Sequence, residues 1–271
     1  MKLLELKREL CQSFDVAKID RQEVDILLCE TLGISFSDLY KIDQIDAKIA
    51  QKVKKMAKKR QNGMPIQKIF KRAYFFDYVF FVNNNVLCPR PETELLAEEV
   101  IKIVEKQSSV LDLCTGSGCL AITIQKKTGA KVVASDISQK ALYVAKKNAK
   151  SLDAYVKFVC SNMFEKIKGK FDIIVSNPPY IPTETCKTLD KEVKDFDPII
   201  SLDGGSDGLD FYKIICQNAK KYLNKNGKIL LEVGINQAKS VENMLKNAGF
   251  CTKIKKDYNN IERIVIGENN D

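Results

Sequence analysis

The amino-acid sequence predicts an α/β fold: a mostly parallel sheet covered by helices on both faces, preceded by a small all-helical unit. From residue 109 onward short apolar runs alternate with amphipathic stretches of helical period, whereas the first 60 residues show helical period alone. Over 271 residues, 45% apolar and 29% charged is ordinary globular composition, enough for one large domain or a medium one with a small companion.

Leu3, Leu6 and Leu10 mark a first helix. Asp20-Arg21-Gln22-Glu23 has the form of an N-cap with a capping-box glutamate, ahead of the stripe Val24, Leu27, Leu28 and Leu32, and Gly33 is a C-cap stop. A later helix spans 46–61 and ends at Asn62-Gly63. Within it, Lys52 to Arg60 holds six basic residues in nine, yet Ile49, Val53, Met56 and Ala57 keep one apolar face. Two readings stand for this run: a solvated lysine-rich face, or a surface that binds a partner.

Aromatic and β-branched residues at 75–82 and 86–88 flank Asn83-Asn84-Asn85, which predicts a β-hairpin with a three-residue loop. Pro89-Arg90-Pro91 ends it and opens a helix from about Glu92 to Glu105. The expected organisation is a helical domain over 1–72, a hairpin linker over 73–90 and a second domain over 91–271. In that domain, strands are expected at 109–113, 131–136, 155–160, 171–176, 227–233, 250–256 and 261–266, with helices at 118–128, 138–151, 209–223 and 237–247. No helix separates the last two strands, so they form an antiparallel edge hairpin.

The chain has no histidine, which excludes His-based acid–base catalysis, Ser-His-Asp and Cys-His triads and nearly all zinc sites; no metal is expected. Its nine cysteines are odd in number, scattered and mostly in apolar surroundings, as expected of free, buried thiols in a reducing compartment. No apolar run approaches the ~20 residues of a membrane span, and charges alternate too early for a signal peptide. A cytoplasmic monomer with no membrane association is expected. The net charge of +9 admits a nucleic acid or an acidic protein as partner.

The first strand of the second domain ends in Asp112-Leu113-Cys114-Thr115-Gly116-Ser117-Gly118. Glycines at such a turn bring backbone close to a ligand, and the N–H groups of the next helix favour a negative group. The second strand ends at Asp136, where a carboxylate can accept from both hydroxyls of a ribose. Gly116 to Ala121 also satisfies the relaxed G-x-G-x-x-A pattern, so a nicotinamide dinucleotide fits as well.

The fourth strand decides. It ends in Asn177-Pro178-Pro179-Tyr180. Proline has no N–H to continue a ladder, so nearby carbonyls stay available, while Asn177 adds an acceptor and Tyr180 a flat ring. Two acceptors and a flat wall suit a planar NH₂ whose delocalised lone pair makes it a poor nucleophile. Acceptors on both N–H bonds would orient it and stabilise the positive charge that grows as it attacks. A methyl donor bearing adenosine and a carboxylate, S-adenosylmethionine, completes the set; a nicotinamide gives these residues no task.

The tetrad and the D-x-x-T-G-S-G turn resemble S-adenosylmethionine-dependent methyltransferases acting on exocyclic or amide nitrogen. Val86-Leu87-Cys88-Pro89-Arg90-Pro91-Glu92-Thr93-Glu94, Asp203-Gly204-Gly205-Ser206-Asp207-Gly208-Leu209-Asp210, and Leu230-Leu231-Glu232-Val233-Gly234 with Gln237 extend the resemblance over nearly the whole chain. It is to the HemK/PrmC family, the release factor glutamine N5-methyltransferases. The resemblance implies a seven-stranded Rossmann-like methyltransferase domain joined by a β-hairpin to a substrate-engaging helical domain. It implies methylation of the glutamine in the Gly-Gly-Gln loop of class 1 peptide chain release factors, hence a role in translation termination.

By position, Cys114, Thr115, Gly116, Ser117 and Gly118 match the cofactor loop, Asp136 the ribose-binding acid, and Asn162 and Met163 the contacts after the third strand. Asn177, Pro178, Pro179 and Tyr180 would hold the substrate amide, with Asn177, Pro178 and Tyr180 catalytic and Asn177 also beside the cofactor. Arg90 and Glu92 would shape the cofactor side of the cleft. The chain departs from the family in having Cys114 for a glycine, Asn162 for an acid, Met163 for a bulkier apolar or aromatic residue, and Asp197-Pro198 for Glu-Pro. The alternative reading is an adenine-N6 or ribosomal RNA amino methyltransferase, in which Tyr180 would stack on a flipped base. No segment resembles a base-reading domain, so direct nucleic-acid binding is not expected. A binding module with a decayed site does not suit a chain that retains the turn, Asp136 and the tetrad.

Overall fold

The structure, a computed structural model, describes residues 1–270 and divides into two compact units. One comprises Met1–Lys71 with a short segment, Lys191–Phe196; the other comprises Arg72–Asp190 and the chain from Asp197 onward.

The first unit contains α1 (Leu3–Val16), α2 (Gln22–Leu32), α3 (Phe36–Leu39), α4 (Ala47–Gln61) and α5 (Ile66–Phe70). Leu3, Leu6, Leu10 and Phe14 recur on one face of α1 and share a core with Val24, Leu27 and Leu28 of α2 and Val53 and Ala57 of α4. Gly33 ends α2 with φ 71° and donates its N–H to the Cys29 carbonyl at 2.8 Å. The expected capping box does not form. The helix begins at Gln22, whose N–H is taken by Asp20 Oδ1 at 2.8 Å, and Glu23 instead pairs with Arg60. A carboxylate gains more from a buried guanidinium than from one exposed N–H. Arg60 is only 6% exposed and also reaches Glu192 at 2.5 Å. The basic run is therefore not one face: Arg60 is interior, Lys54 pairs with Glu9 at 2.6 Å, and Lys52, Lys55 and Lys58 are exposed.

The second unit opens with a hairpin of β1 (Arg72–Phe75) and β2 (Tyr78–Phe81). Its turn is Phe76-Asp77, since Phe75 pairs with Tyr78 and Phe76 takes φ 51°. This corrects the expectation of strands either side of Asn83-Asn84-Asn85. Asp77 supplies the turn inside what reads as one aromatic run, and the asparagines fold on themselves, Asn83 Oδ1 accepting from Asn85 N–H at 2.9 Å. Phe75 and Phe80 are fully buried in a core shared with Leu96 and Val110.

The remaining elements are α6 (Pro91–Ile103), β3 (Ser109–Leu113), α7 (Cys119–Thr128), β4 (Lys131–Asp136), α8 (Gln139–Ser151), β5 (Val156–Cys160), β6 (Phe171–Ser176), α9 (Thr183–Cys186), α10 (Lys191–Lys194, which groups with the first unit), α11 (Asp210–Tyr222), β7 (Leu223–Glu232), α12 (Ala238–Asn247), β8 (Cys251–Lys256) and β9 (Glu262–Glu268). The seven strands β3 to β9 form one sheet in the order β5-β4-β3-β6-β7-β9-β8. Strands β3 to β7 run parallel and β9 is antiparallel to β7 and β8, so the edge hairpin is as expected. β7 begins earlier than its apolar run, and its register shifts opposite Phe171 and Ile173 around Asn224 to Gly227.

β6 is central, Val175 lying beside Asp112 on one side and Leu230 on the other, which explains its unbroken apolar run. The chain winds outward from β3 to β5, then returns to the other side of β3 with β6. The ends of β3 and β6 therefore flank the point where the winding reverses, the usual place for a ligand in such sheets.

Candidate active site

Beyond the carboxyl ends of these strands lies a cavity of about 220 Å³. Cys114 and Gly116 reach it from the loop after β3, Asp136 and Ser138 from β4, Asn162 and Met163 from β5, and Asn177 and Pro179 from β6.

In the first loop only alternate residues face the cavity. A Cβ on Gly116 would meet nothing within 4 Å, so the backbone there is open to a ligand. Gly118 is required for another reason: with φ 80°, a Cβ would come within 3.0 Å of the Ala145 and Ile122 side chains. Thr115 and Ser117 turn away. The Thr115 hydroxyl donates to Asp112 at 2.6 Å, and the Ser117 carbonyl accepts from Asn148 Nδ2 at 2.9 Å. Burial pushes Asp112 up to about 7, against the Thr115 hydroxyl and the Ala121 N–H that bind it. The N-terminus of α7, expected to face a negative group on a ligand, thus already has a carboxylate on the Ala121 N–H.

Asp136 takes the Gly116 N–H on Oδ2 at 2.9 Å and the Ser138 N–H on Oδ1 at 2.8 Å. These bonds fix the carboxylate, while burial is the largest influence and raises its pKa. Ser138 caps α8, its hydroxyl accepting from Ala141 N–H at 3.2 Å, so Asp136 is free of that duty. Asn162 donates from Nδ2 to Glu165 at 2.7 Å, which commits its nitrogen and keeps its oxygen as an acceptor.

Asn177 follows directly from β6 and donates from Nδ2 to Thr93 Oγ1 at 3.0 Å. Past the prolines the chain is tied down by its neighbours. Tyr180 O accepts from Gln237 Nε2 at 2.8 Å, and Ile181 bonds Leu202 and Gly204 at 2.9 and 2.8 Å. A Cβ on Gly208 would lie 2.3 Å from Tyr180 O, which explains the glycine-rich segment packed there. Among the described residues no N–H donates to the Pro178 carbonyl. Pro178 and Tyr180 do not border the cavity, and burial pushes the Tyr180 hydroxyl up to about 12.

Sequence reasoning missed several wall residues. Val86 and Leu87 close one side, having been read as a strand, and Pro198, Ile200 and Phe211 close another. Arg90 donates to buried Asp197 at 3.2 Å, which anchors the Pro198 wall. The pair Asp197-Pro198 was the available signal for that wall, proline after a buried acid marking a fixed turn.

A seven-stranded sheet of this order, with an acid at the tip of its second strand and Asn-Pro-Pro-Tyr after its fourth, defines a methyltransferase. The methyltransferase small domain matches residues 91–195 and the PrmC N-terminal domain matches residues 5–70. The chain is 37% identical to the release factor glutamine methyltransferase of Thermodesulfovibrio yellowstonii over 98% of both chains. It is 41% identical to that of Clostridium acetobutylicum over 76% of both. The chain belongs to the release factor glutamine methyltransferase family. A methyltransferase structure from Pyrococcus furiosus shares the fold, with TM-score 0.57 and 18% identity over 71% of this chain and 89% of that one. Among the described residues no helix is long and apolar enough to cross a membrane.

Proposed function

We propose that this protein methylates the side-chain amide of the glutamine in the Gly-Gly-Gln loop of class 1 release factors, using S-adenosylmethionine, in the cytoplasm where those factors act. The observation that carries this reading is Asn177 at the cavity wall, directly after β6 and tied to Thr93 by its Nδ2.

The cavity suits the methyl donor. Asp136 would accept from the ribose hydroxyls, Asn162 from the adenine amino group, and Met163 would cover a ring, while the open backbone at Gly116 admits close approach. When bound, S-adenosylmethionine supplies a methyl group on a positively charged sulfur. Asn177 Oδ1 and the Pro178 carbonyl would accept the two N–H bonds of the target amide. They orient its lone pair and stabilise the charge that develops on nitrogen. The proton leaves once the N–C bond has formed, so no strong base is needed and the absence of histidine is no obstacle. Residues 1–72 would engage the release factor outside its loop.

Incubation with labelled S-adenosylmethionine and either a purified class 1 release factor or ribosomal RNA and duplex DNA tests this. Label should enter the release factor, at the loop glutamine. Label in nucleic acid alone would overturn the reading.

A further inference from the structure

We infer that Glu232, buried behind Asn177, is a positioning residue for methyl transfer: with Thr93 it fixes the Asn177 amide so that the oxygen, not the nitrogen, faces the cavity. The inference rests on the reading of Asn177 as an acceptor for the target amide.

The sheet brings the groups together. Ser176 pairs with Leu231, so Asn177 emerges level with Glu232 at the end of β7. Asn177 Nδ2 donates to Thr93 Oγ1 at 3.0 Å, and both side chains lie close enough to the Glu232 carboxyl to favour its charged form. Thr93 thus takes one hydrogen of the Asn177 nitrogen, and the Glu232 carboxyl stands beside the same end of the amide. Reversing the amide would set its oxygen against a carboxylate, and the repulsion of two acceptors forbids that orientation.

Glu232 has no other evident task. It is 2% exposed, and its Oε2 has no hydrogen-bond partner among the described residues. Tyr212, the large buried side chain beside it, bonds the Glu232 backbone carbonyl at 2.8 Å rather than the carboxyl. A carboxyl buried with one oxygen unmatched costs stability, and an apolar residue would fill the space without that penalty.

The surroundings make this device sensitive to pH. Burial pushes Glu232 up to about 7; Glu92 on α6 acts in the same direction, while Thr93, Arg263 on β9 and Asn177 oppose it. Tyr180, Tyr212 and Cys119 also face this charge, all with pKa values raised by burial. Once Glu232 takes up a proton it can donate as well as accept, and no longer distinguishes the two ends of the Asn177 amide. Turnover should therefore fall on the acid side of neutrality.

The test compares Glu232→Gln, Thr93→Val, Thr93→Ser and Asn177→Ala, measuring methylation of a purified class 1 release factor from about pH 5.5 to about pH 9. Binding of S-adenosylmethionine is measured by calorimetry. Glu232→Gln should lower kcat on the order of 10- to 100-fold at the alkaline plateau, the scale of one hydrogen bond to a charged group. It should also abolish the acid limb while leaving KM and cofactor affinity near normal. Thr93→Val should fall with it and Thr93→Ser should recover, and Glu232→Gln should cost nothing further in the Asn177→Ala background. Wild-type kcat and an intact acid limb in Glu232→Gln, full additivity with Asn177→Ala, or equal rates for the two Thr93 variants would each overturn the inference. Those outcomes with an inactive Asn177→Ala leave the reading of Asn177 standing; an active Asn177→Ala would instead remove that reading.

Discussion

Cys114 and Met163 meet across the cavity with Sγ 3.9 Å from Sδ, and both backbones lie in the left-handed region, at φ 60° and 44°. Such a conformation costs a residue with a Cβ on the order of 1 kcal/mol or more, so two facing one another need support from around them. Thr115 N–H donates to Ser135 O at 2.9 Å just after Cys114, and the Ser161 hydroxyl donates to Met163 O at 2.9 Å. The bonds hold two strained loops at the wall where the cofactor is proposed to lie.

The strain predicts an order of stability at position 114. Valine is apolar like cysteine, but its branched Cβ is excluded at positive φ, whereas glycine adopts that conformation freely. Cys114→Val should be less stable than Cys114→Gly by about 2 kcal/mol in urea melts. Equal stabilities, or the reverse order, would show that packing against Met163 outweighs the backbone.

Asp136 offers a separate check of the cofactor side. Its carboxylate is already oriented by the Gly116 and Ser138 N–H groups, so binding a hydroxyl requires no rearrangement. Asp136→Ala should weaken S-adenosylmethionine binding by roughly 10- to 100-fold, the value of hydrogen bonds to a charged group. Calorimetry on a variant with native circular dichroism measures this, and unchanged affinity would argue against a ribose contact.

Much of the second unit was legible because each cue was local. Val175 and its neighbours need an apolar run to lie between two strands, and Ser138 and Pro91 carry helix starts in their own chemistry. What was not legible depends on distant partners. Glu23 resembles a capping glutamate until Arg60 is folded beside it, and the turn at Phe76-Asp77 is hidden because its aromatic residues continue the pattern of both strands. The candidate site divides the same way. Asp136 and Asn177 stand at strand ends that the pattern reveals, whereas Glu232 looks like the end of an apolar strand until the register sets it beside Asn177.

Asp112 should make stability depend on pH. Its ordinary value of 3.8 is raised to about 7 by burial, so the folded state binds the proton more tightly than the unfolded chain. That contribution is fully present below 3.8 and is lost as pH rises through about 7. Relative to wild type, Asp112→Asn should therefore gain stability between about pH 4 and about pH 7.5 and stay level above that. Urea melts at about pH 5 and about pH 8 measure the change. A difference that stays constant would mean that Thr115 and Ala121 keep Asp112 ionised throughout.

The basic helix α4 now has a sharper test. Lys54 and Arg60 are committed to Glu9 and to Glu23 and Glu192, so reversing them would disturb the fold of the helical unit itself. Lys52, Lys55 and Lys58 are exposed and can be changed to glutamate with little effect on its core. If this face meets an acidic surface of the release factor, the triple variant should raise KM for the intact factor by roughly tenfold, an effect that fades as salt is added. A short Gly-Gly-Gln peptide, which offers no such surface, should be methylated at the normal rate. Equal slowing of both substrates would place the defect in the enzyme, and no slowing of either would leave α4 a solvated face.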